Sequence, residues 1–256
     1  MWRGVAAPDQ DYKAWVCPTF HPSFVSRMDS REVTVTWKRD LQRAFNMANY
    51  ITEYLNPKII YLKNLKKLPN PKKAMTAFDY ETTGIKPHAI GHRIKCASIA
   101  YSSDTVYTFM MPGRKKKLIP FLKFLLNKGI KKIGANTKFE EQWSDVRLKT
   151  EVKSWYWDTM LTAHVLDHRK GITGLKFQVY VYLGIVDYDS EVSPYLRPTK
   201  EDKKKYGSNA INRLDELLAK PGGEKLLLKY CALDSINEYR IALIQMAEIE
   251  NRDLPF

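Results

Sequence analysis

Two carboxylates stand two residues apart in the stretch FDYETTG, residues 78–84, which follows an apolar run. Because a β-strand alternates its side chains between two faces, Asp79 and Glu81 are predicted to point the same way. Carboxylates this close repel each other, and a divalent cation such as Mg²⁺ or Mn²⁺ removes that cost by taking their oxygens as ligands. The alternative is a strand edge with two solvated acids, which a lone pair of this kind does not exclude.

Further acids stand in the stretches GANTKFEEQW, residues 134–143, and KYCALDS, residues 229–235. Tyr230 and Asp234 have the i, i+4 spacing that places a phenol and a carboxylate on one face of a helix. Glu140 stands at a predicted helix start, where a glutamate is also favoured simply by the helix dipole. Each stretch therefore has both a catalytic interpretation and a purely structural one.

Taken in order, the three stretches resemble the motifs of the DnaQ-like (DEDD) 3′–5′ exonucleases, in particular the proofreading domain of family A DNA polymerases. FDYETTG is similar to the first motif, NTKFE to the second and YCALD to the third. Residues 157–184 also resemble the segment between the second and third motifs of that family, so that the resemblance spans roughly residues 74–245. The second motif usually carries Asp where this chain has Glu140, which is one methylene longer.

The resemblance implies a metal-dependent 3′–5′ exonuclease that releases 5′-mononucleotides from single-stranded DNA 3′ ends. It implies two divalent cations, Mg²⁺ or Mn²⁺, held by the carboxylates, with Tyr230 orienting the attacking water. The implied catalytic residues are Asp79, Glu81, Glu140, Tyr230 and Asp234, of which Asp79, Glu81, Asp234 and Glu140 are the metal ligands. The implied nucleic-acid-binding residues are Thr82, Asn136, Lys138 and Phe139.

The hydrophobic patterning predicts an α/β fold with a mixed sheet. The predicted strands are residues 74–82, 93–101, 105–111 and 131–136, with another near Trp155. The predicted helices are residues 116–128, 139–149, 157–168, with Asp158 as N-cap, 211–220 and 224–249. The resemblance makes this fold more specific: a ribonuclease H-like mixed sheet flanked by helices, with a small N-terminal appendage.

The chain is strongly basic, with 42 Lys and Arg against 28 Asp and Glu and a formal net charge of +14. Such a charge predicts a polyanionic partner, nucleic acid or an anionic membrane surface, although a solvated basic surface is the alternative. Candidate groups for a nucleic-acid groove are Arg93, Lys95 and the cluster 114–117. Residues 197–209 are predicted to be a charged loop, either a DNA-contacting arm or plain surface.

The three cysteines are widely spaced and show no zinc-ligand pattern, which favours a reducing compartment. No apolar run approaches the roughly 20 residues of a membrane span, and no secretory signal is visible. We therefore expect a cytoplasmic protein, in the bacterial host if the gene belongs to a phage.

Residues 57–73 carry prolines among many lysines and are interpreted as a connector. The predicted domains are residues 1–73, a tail with a basic linker, and residues 74–256, the exonuclease. Within the tail, WVCPTFHPSFVSR, residues 15–27, is similar to the late motif of uracil-DNA glycosylases, with His21 as the motif histidine, and this second resemblance covers about residues 1–52. Because some fifty residues cannot bury a sheet-based core alone, no glycosylase activity is expected from this chain by itself.

The main functional hypothesis is a detached proofreading module of phage-type DNA replication, with a DNA polymerase as a separate partner. The main alternative is a catalytically degenerate exonuclease fold that binds DNA or a polymerase. A ribonuclease of the same superfamily is a third possibility, because the 2′-hydroxyl is what a site uses to distinguish RNA from DNA.

Overall fold

The computed structural model describes residues 3, 5–47, 53–167 and 170–250. It divides into two compact units, Met1–Leu55 with Lys176–Val186, and Asn56–Leu175 with Asp187–Phe256. The strands are β1 (Ala7–Asp9), β2 (Ala14–Val16), β3 (Lys58–Tyr61), β4 (Ala74–Thr82), β5 (Ile94–Ala100), β6 (Thr105–Met110), β7 (Ile130–Gly134) and β8 (Trp155–Asp158). The helices are α1 (Pro22–Met28), α2 (Arg31–Phe45), α3 (Lys115–Leu126), α4 (Thr137–Trp143), α5 (Thr159–Leu166), α6 (Leu175–Leu183), α7 (Lys200–Tyr206), α8 (Leu214–Leu218) and α9 (Gly223–Glu250).

The smaller unit combines the β1–β2 hairpin, α1 and α2 with the later segment that carries most of α6. Gly184 follows α6 with a φ of +69°, and a Cβ added there would lie 2.0 Å from the carbonyl oxygen of Pro8, so only glycine fits. His21 is exposed and caps α1, because its Nδ1 accepts the backbone N–H of Ser23 at 3.2 Å. The glycosylase resemblance stays a prediction, and its residues 48–52 lie outside the described residues.

The larger unit is built on a six-stranded sheet in the order β3-β6-β5-β4-β7-β8. β4 pairs antiparallel with β5, and β5 with β6, whereas the pairs β3–β6, β4–β7 and β7–β8 are parallel. Helices cover the sheet, which confirms the predicted α/β class with a mixed sheet. Among the described residues, no helix is both long enough and apolar enough to span a bilayer.

The two faces of β4 serve different purposes. Phe78 and Tyr80 point into an aromatic core that includes Phe121 and Phe124 of α3. Ala77 packs on the opposite face in a cluster of mostly small residues contributed partly by α9. Because side chains alternate along a strand, Asp79 and Glu81 follow Ala77 on the side of α9. The alternation in FDYE thus places the two aromatic side chains on one face of the sheet and the two carboxylates on the other.

Helix α9 lies across β4, β5 and β6 and is held there by a buried polar seam. The Ser98 hydroxyl of β5 donates to the carbonyl of Cys231 at 2.7 Å, and Ser235 Oγ lies 2.8 Å from the same hydroxyl. The Thr108 hydroxyl of β6 reaches the carbonyl of Leu228 at 3.1 Å. Side-chain bonds to helix carbonyls fix both the rotation and the axial position of α9.

Two segments differ from the sequence-based predictions. Residues 57–73, interpreted as a connector, contain β3, the edge strand that pairs with β6, because Ile59 and Ile60 can add apolar surface to the sheet. Residues 197–209, predicted to be a loop, contain α7. The Thr199 hydroxyl caps α7 by accepting the N–H of Asp202 at 3.0 Å, and the acids of its first turn and lysines of its last turn complement the helix dipole.

The remaining predicted elements occur close to their expected positions. Asp158 is the N-cap of α5, as predicted, and accepts the N–H groups of Met160 and Leu161. Helix α8 is shorter than the predicted 211–220. The predicted helix 157–168 ends earlier, at Leu166, and its residue 168 lies outside the described residues.

Candidate active site

Asp79 and Glu81 lie side by side near the end of β4, opposite Ser98 and Cys96 of β5. A bulge in the pairing follows Glu81, at Thr82. The ligand atoms of Asp79, Glu81 and Cys231 lie within 4.8 Å of one another, a spacing that could hold a metal ion. The sequence-based prediction that the two carboxylates face the same way therefore agrees with their placement.

Asp158 positions the second acidic segment by capping two helices at once. Besides α5, it holds the start of α4, because its Oδ1 accepts the N–H of Asn136 at 3.1 Å and its Oδ2 that of Thr137 at 2.8 Å. Asn136 adopts a left-handed backbone with φ of 67°, a conformation that Asn tolerates better than most residues. The chain therefore turns sharply from β7 into the first turn of α4, which carries Glu140.

Glu140 points inward and is only 3% exposed. Its Oε2 is buried with no hydrogen-bond partner among the described residues. Burial, and then the negative charge of Asp79, raise the pKa of Glu140 well above its ordinary value. A first-turn glutamate placed there only for the helix dipole would be solvated, so this burial beside Asp79 favours a role within the acidic cluster.

The neighbouring Glu141 has a different role. Its Oε2 accepts the indole N–H of Trp155 at 2.6 Å, and its Oε1 the N–H of Val152 at 3.3 Å. Glu141 therefore anchors the segment that leads into β8, whereas Glu140 is the one that turns inward.

Tyr230 and Asp234 are both buried on α9, at 6% exposure each. Burial, followed by the charges of Asp234 and Glu81, raises the pKa of Tyr230. Asp234 accepts a hydrogen bond from the Tyr188 hydroxyl at 2.6 Å, and the rings of Tyr188 and Tyr230 stack with centroids 6.4 Å apart. Tyr188 thus contributes a hydrogen bond from outside α9 that orients the Asp234 carboxylate.

The predicted nucleic-acid-binding residues lie around the cluster at different depths. Thr82 is buried and its hydroxyl donates to the carbonyl of Gly84 at 2.7 Å. Asn136 and Lys138 are exposed, and Phe139 is half-buried against Trp143. Their contact with a nucleic acid stays a prediction.

The other basic candidates are divided between paired and exposed groups. Arg93 and Lys95 both form ion pairs with Asp215, so their charges are partly neutralised within the protein. Residues 114–117 are exposed at the start of α3. Among these candidates, the exposed cluster at α3 keeps its charge available to a polyanion.

The donor set fits a divalent cation. Asp79 and Glu81 supply hard carboxylate oxygens, the kind of ligand that Mg²⁺ and Mn²⁺ prefer. Glu140 and Asp234 are not in the described group whose ligand atoms lie within 4.8 Å of one another, and their part in metal binding stays a prediction. The unpartnered, buried Oε2 of Glu140 and its electrostatic conflict with Asp79 are features that a positive charge would resolve.

Sequence reasoning missed Tyr188 and Cys231. Tyr188 lies in an irregular segment after α6, where no periodicity signals its approach to α9. Cys231 stands directly after Tyr230 within the third stretch, but the wide spacing of the cysteines gave it no metal-ligand pattern. The i−3 relation of Cys231 to Asp234 could have indicated that the two residues lie on the same side of the helix.

The sheet order, the acids on a central strand and the long helix across them define a ribonuclease H-like α/β protein. Residues 60–244 match the family model described as 3′–5′ exonuclease, of the DNA polymerase A type, and the chain therefore belongs to this 3′–5′ exonuclease family. A search of curated proteins found no significant match.

Solved structures share this fold at low sequence identity. Brucella melitensis NrnC bound to pGG is 17% identical, with 76% of this chain and 83% of that chain covered and a TM-score of 0.52. A second structure of Brucella melitensis NrnC is also 17% identical, covering 75% of this chain and 82% of that chain with a TM-score of 0.51. At such identities the similarity extends to the fold alone.

Proposed function

We propose that this chain is a divalent-metal-dependent 3′–5′ exodeoxyribonuclease that releases 5′-mononucleotides from single-stranded DNA 3′ ends. The observation that carries the proposal is Glu140, whose carboxyl is buried near the charge of Asp79 with one oxygen that has no hydrogen-bond partner in the described part of the chain. Burying a carboxylate without a partner is costly, so a fold that had lost its catalytic role would gain stability by replacing it. This argues against the degenerate-exonuclease alternative.

In this proposal one divalent ion would be held by Asp79, Glu81 and Asp234. A second would be held by Asp79 and substrate phosphate oxygens, with Glu140 in its outer shell. Such ions would supply stabilisation of the charge that develops in a phosphoryl displacement. The chain contributes the positions of the carboxylates: β4 holds Asp79 and Glu81, the Asp158 cap holds the turn that carries Glu140, and the Tyr188 hydrogen bond orients Asp234.

Tyr230 acts as an orienting group and not as a base. Because burial and the neighbouring carboxylates raise its pKa, the phenol keeps its proton at neutral pH. A protonated phenol can donate one hydrogen bond and accept another, which suits the positioning of a water molecule beside Glu81. The proton released by that water must then pass to a carboxylate or to solvent.

The choice of DNA as the substrate is supported by the charge of the chain and by its family. The net charge of +14 favours a polyanion, and exposed Lys138 and Asn136 lie at the rim of α4 near Glu140. Membership of an exonuclease family of the DNA polymerase A type supports DNA as the substrate and proofreading as the role. A separate polymerase as partner, a phage-type context and a cytoplasmic location complete the proposal.

The deciding experiment incubates the full chain with 5′-labelled single-stranded DNA and Mg²⁺ or Mn²⁺. We expect a ladder of products shortened one nucleotide at a time, and its loss in Asp79→Ala. Asp11→Ala removes an exposed acid of the other compact unit and is the matched control that keeps activity. An RNA strand of the same sequence tests the ribonuclease alternative. Strand binding without cleavage under either metal would establish the degenerate alternative instead.

A further inference from the structure

A thiol lies among the atoms that the proposed function assigns to metal binding. Cys231 is fully buried, and its Sγ lies 3.6 Å from Asp79 Oδ2 and 3.7 Å from the Asp79 carbonyl oxygen. The same sulfur belongs to the cluster with Glu81 in which all ligand atoms lie within 4.8 Å. A sulfur in this position is not needed by Mg²⁺, which binds oxygen ligands.

The spacing of the sulfur matches a different class of ion. In a tetrahedral zinc site, a Zn–S bond of roughly 2.3 Å and a Zn–O bond of roughly 2.1 Å place the two ligand atoms about 3.6 Å apart. The Cys231 thiol donates to Asp79 Oδ2 over 3.6 Å, so an ion that replaces the thiol proton finds these two atoms already at the spacing of a shared ligand pair. The third member, Glu81, supplies a second oxygen.

A second observation points to a cation in the same region. Among the described residues, the carboxyl of Glu140 is only 3% exposed, its pKa is raised by burial and by the charge of Asp79, and one of its oxygens has no hydrogen-bond partner. Glu140 is not one of the ligand groups that lie within 4.8 Å of one another, so a solvent molecule would complete a four-coordinate set. One sulfur and two carboxylate oxygens form a mixed donor set that suits Zn²⁺ better than a hard ion.

We propose that Asp79, Glu81 and Cys231 form a binding site for a soft divalent cation, Zn²⁺ or Cd²⁺, which competes with Mg²⁺ or Mn²⁺ for the catalytic carboxylates. On binding, the Cys231 thiol gives up its proton to solvent and the sulfur becomes a ligand. The ion then occupies the oxygens of Asp79 and Glu81 together with the sulfur of Cys231. The proposal rests on the proposed function for the statement that these carboxylates are the catalytic ligands.

The consequence is selective inhibition. A site of oxygen ligands alone already binds Zn²⁺ more tightly than Mn²⁺, and a thiolate increases that preference. Zn²⁺ added to a Mg²⁺-supported reaction should therefore inhibit hydrolysis, and Cys231→Ser should weaken that inhibition. Serine keeps the size of the side chain and removes the soft donor.

The direct test is a titration of the metal-free full chain with Cd²⁺, followed by ultraviolet thiolate-to-cadmium charge-transfer absorption. We expect one equivalent to produce the absorption in the wild type and in Cys17→Ser, the matched control that removes a thiol of the other compact unit. Cys231→Ser should lose the absorption and bind Zn²⁺, measured by calorimetry, at least about tenfold more weakly, the loss typical of removing even an outer-shell partner. Mg²⁺ binding should not change.

Absence of the absorption in the wild type overturns the proposal without reference to any variant. Its persistence in folded Cys231→Ser, or in Cys231→Ala should the serine variant not fold, also overturns it. The exonuclease assay separates this result from the proposed function. Hydrolysis without the absorption supports the proposed function and rejects the soft-metal site. The absorption without hydrolysis supports the soft-metal site and rejects the proposed function.

Discussion

Glu140 shows how one carboxyl can lower stability and still be retained for chemistry. Its pKa is raised above the ordinary 4.5, by burial first and by Asp79 second. A carboxyl whose pKa is higher in the folded than in the unfolded state stabilises the fold fully below the unfolded value. That contribution is lost as the pH rises through the folded pKa. At neutral pH without metal, Glu140 therefore lowers the free energy of unfolding.

We therefore expect Glu140→Gln to raise the free energy of unfolding of the metal-free protein at neutral pH, because the amide resembles the protonated acid. The same change should lower kcat/KM about a hundredfold, the upper range for losing a group that supports a metal site. Thermal unfolding in chelator and single-strand hydrolysis measure the two effects. Glu140→Asp, which keeps the charge, should retain much more activity. A less stable Glu140→Gln would contradict this account.

Tyr188 is a positioning residue for Asp234. Its hydroxyl donates to Asp234 Oδ1 at 2.6 Å while its ring packs on Tyr230. Tyr188→Phe keeps the ring and removes the donor, so we expect metal affinity to fall about tenfold with little loss of stability. Calorimetric titration with Mn²⁺ measures the affinity. Excess Mn²⁺ should restore hydrolysis in Tyr188→Phe, which a purely structural defect would not allow.

At the scale of elements, β7 carries two adjacent lysines in opposite environments. Lys132 is fully buried, and its Nζ donates to the carbonyls of Asn127, Ile130 and Lys153. Burial lowers the pKa of Lys132 from 10.5 to about 8, although the three carbonyls favour the charged form. Lys131 is exposed, with its Nζ 3.9 Å from the centroid of the Tyr156 ring.

Lys132→Met should lower the free energy of unfolding by about 2 kcal/mol, because it leaves buried carbonyls without a donor. Lys131→Met is the matched control and should cost less than about 1 kcal/mol. The unfolded chain binds more protons than the folded one between pH 8 and 10.5, so wild-type stability should gain from Lys132 as the pH rises through that window. Urea unfolding across that range should show the gain disappear in Lys132→Met.

At the scale of the whole molecule, the net charge of +14 is distributed between paired and available groups. Arg93 forms an ion pair with Asp215, whereas Lys138 is exposed, two residues before Glu140 in α4. For a single strand, each phosphate neutralised contributes about −0.7 to the slope of log K against log salt concentration. The available lysines should therefore dominate the salt dependence of binding.

Lys138→Ala should reduce the magnitude of that slope by about 0.7, and Arg93→Ala should change it less because its charge already has an internal partner. Fluorescence anisotropy of a labelled strand, in an Asp79→Ala background that prevents degradation, gives the slopes. Equal slopes for the wild type and Lys138→Ala would remove Lys138 from the binding surface.

Local patterns predicted most of the fold and the shared face of Asp79 and Glu81. The alternation in FDYE places Asp79 and Glu81 correctly, because a strand's faces depend only on its own residues. The pairing of β3 with β6 joins segments more than forty residues apart, and no local pattern reports such a contact. Tyr188 and Cys231 reach the cluster through tertiary packing, and the inward direction of Glu140 depends on a cap supplied by Asp158 from another strand.

The buried hydrogen bonds between the sheet and α9 determine how precisely the helix is rotated about its axis. A helix of 28 residues is about 42 Å long, and a slip of one residue turns every side chain by about 100° and advances it by about 1.5 Å. Hydrophobic contacts among small residues tolerate such a slip, whereas the bonds from Ser98 and Thr108 to α9 carbonyls do not. These two hydroxyls therefore fix the rotation of α9 about its own axis. That rotation sets the direction in which Tyr230 and Asp234 face β4, the strand that carries Asp79 and Glu81.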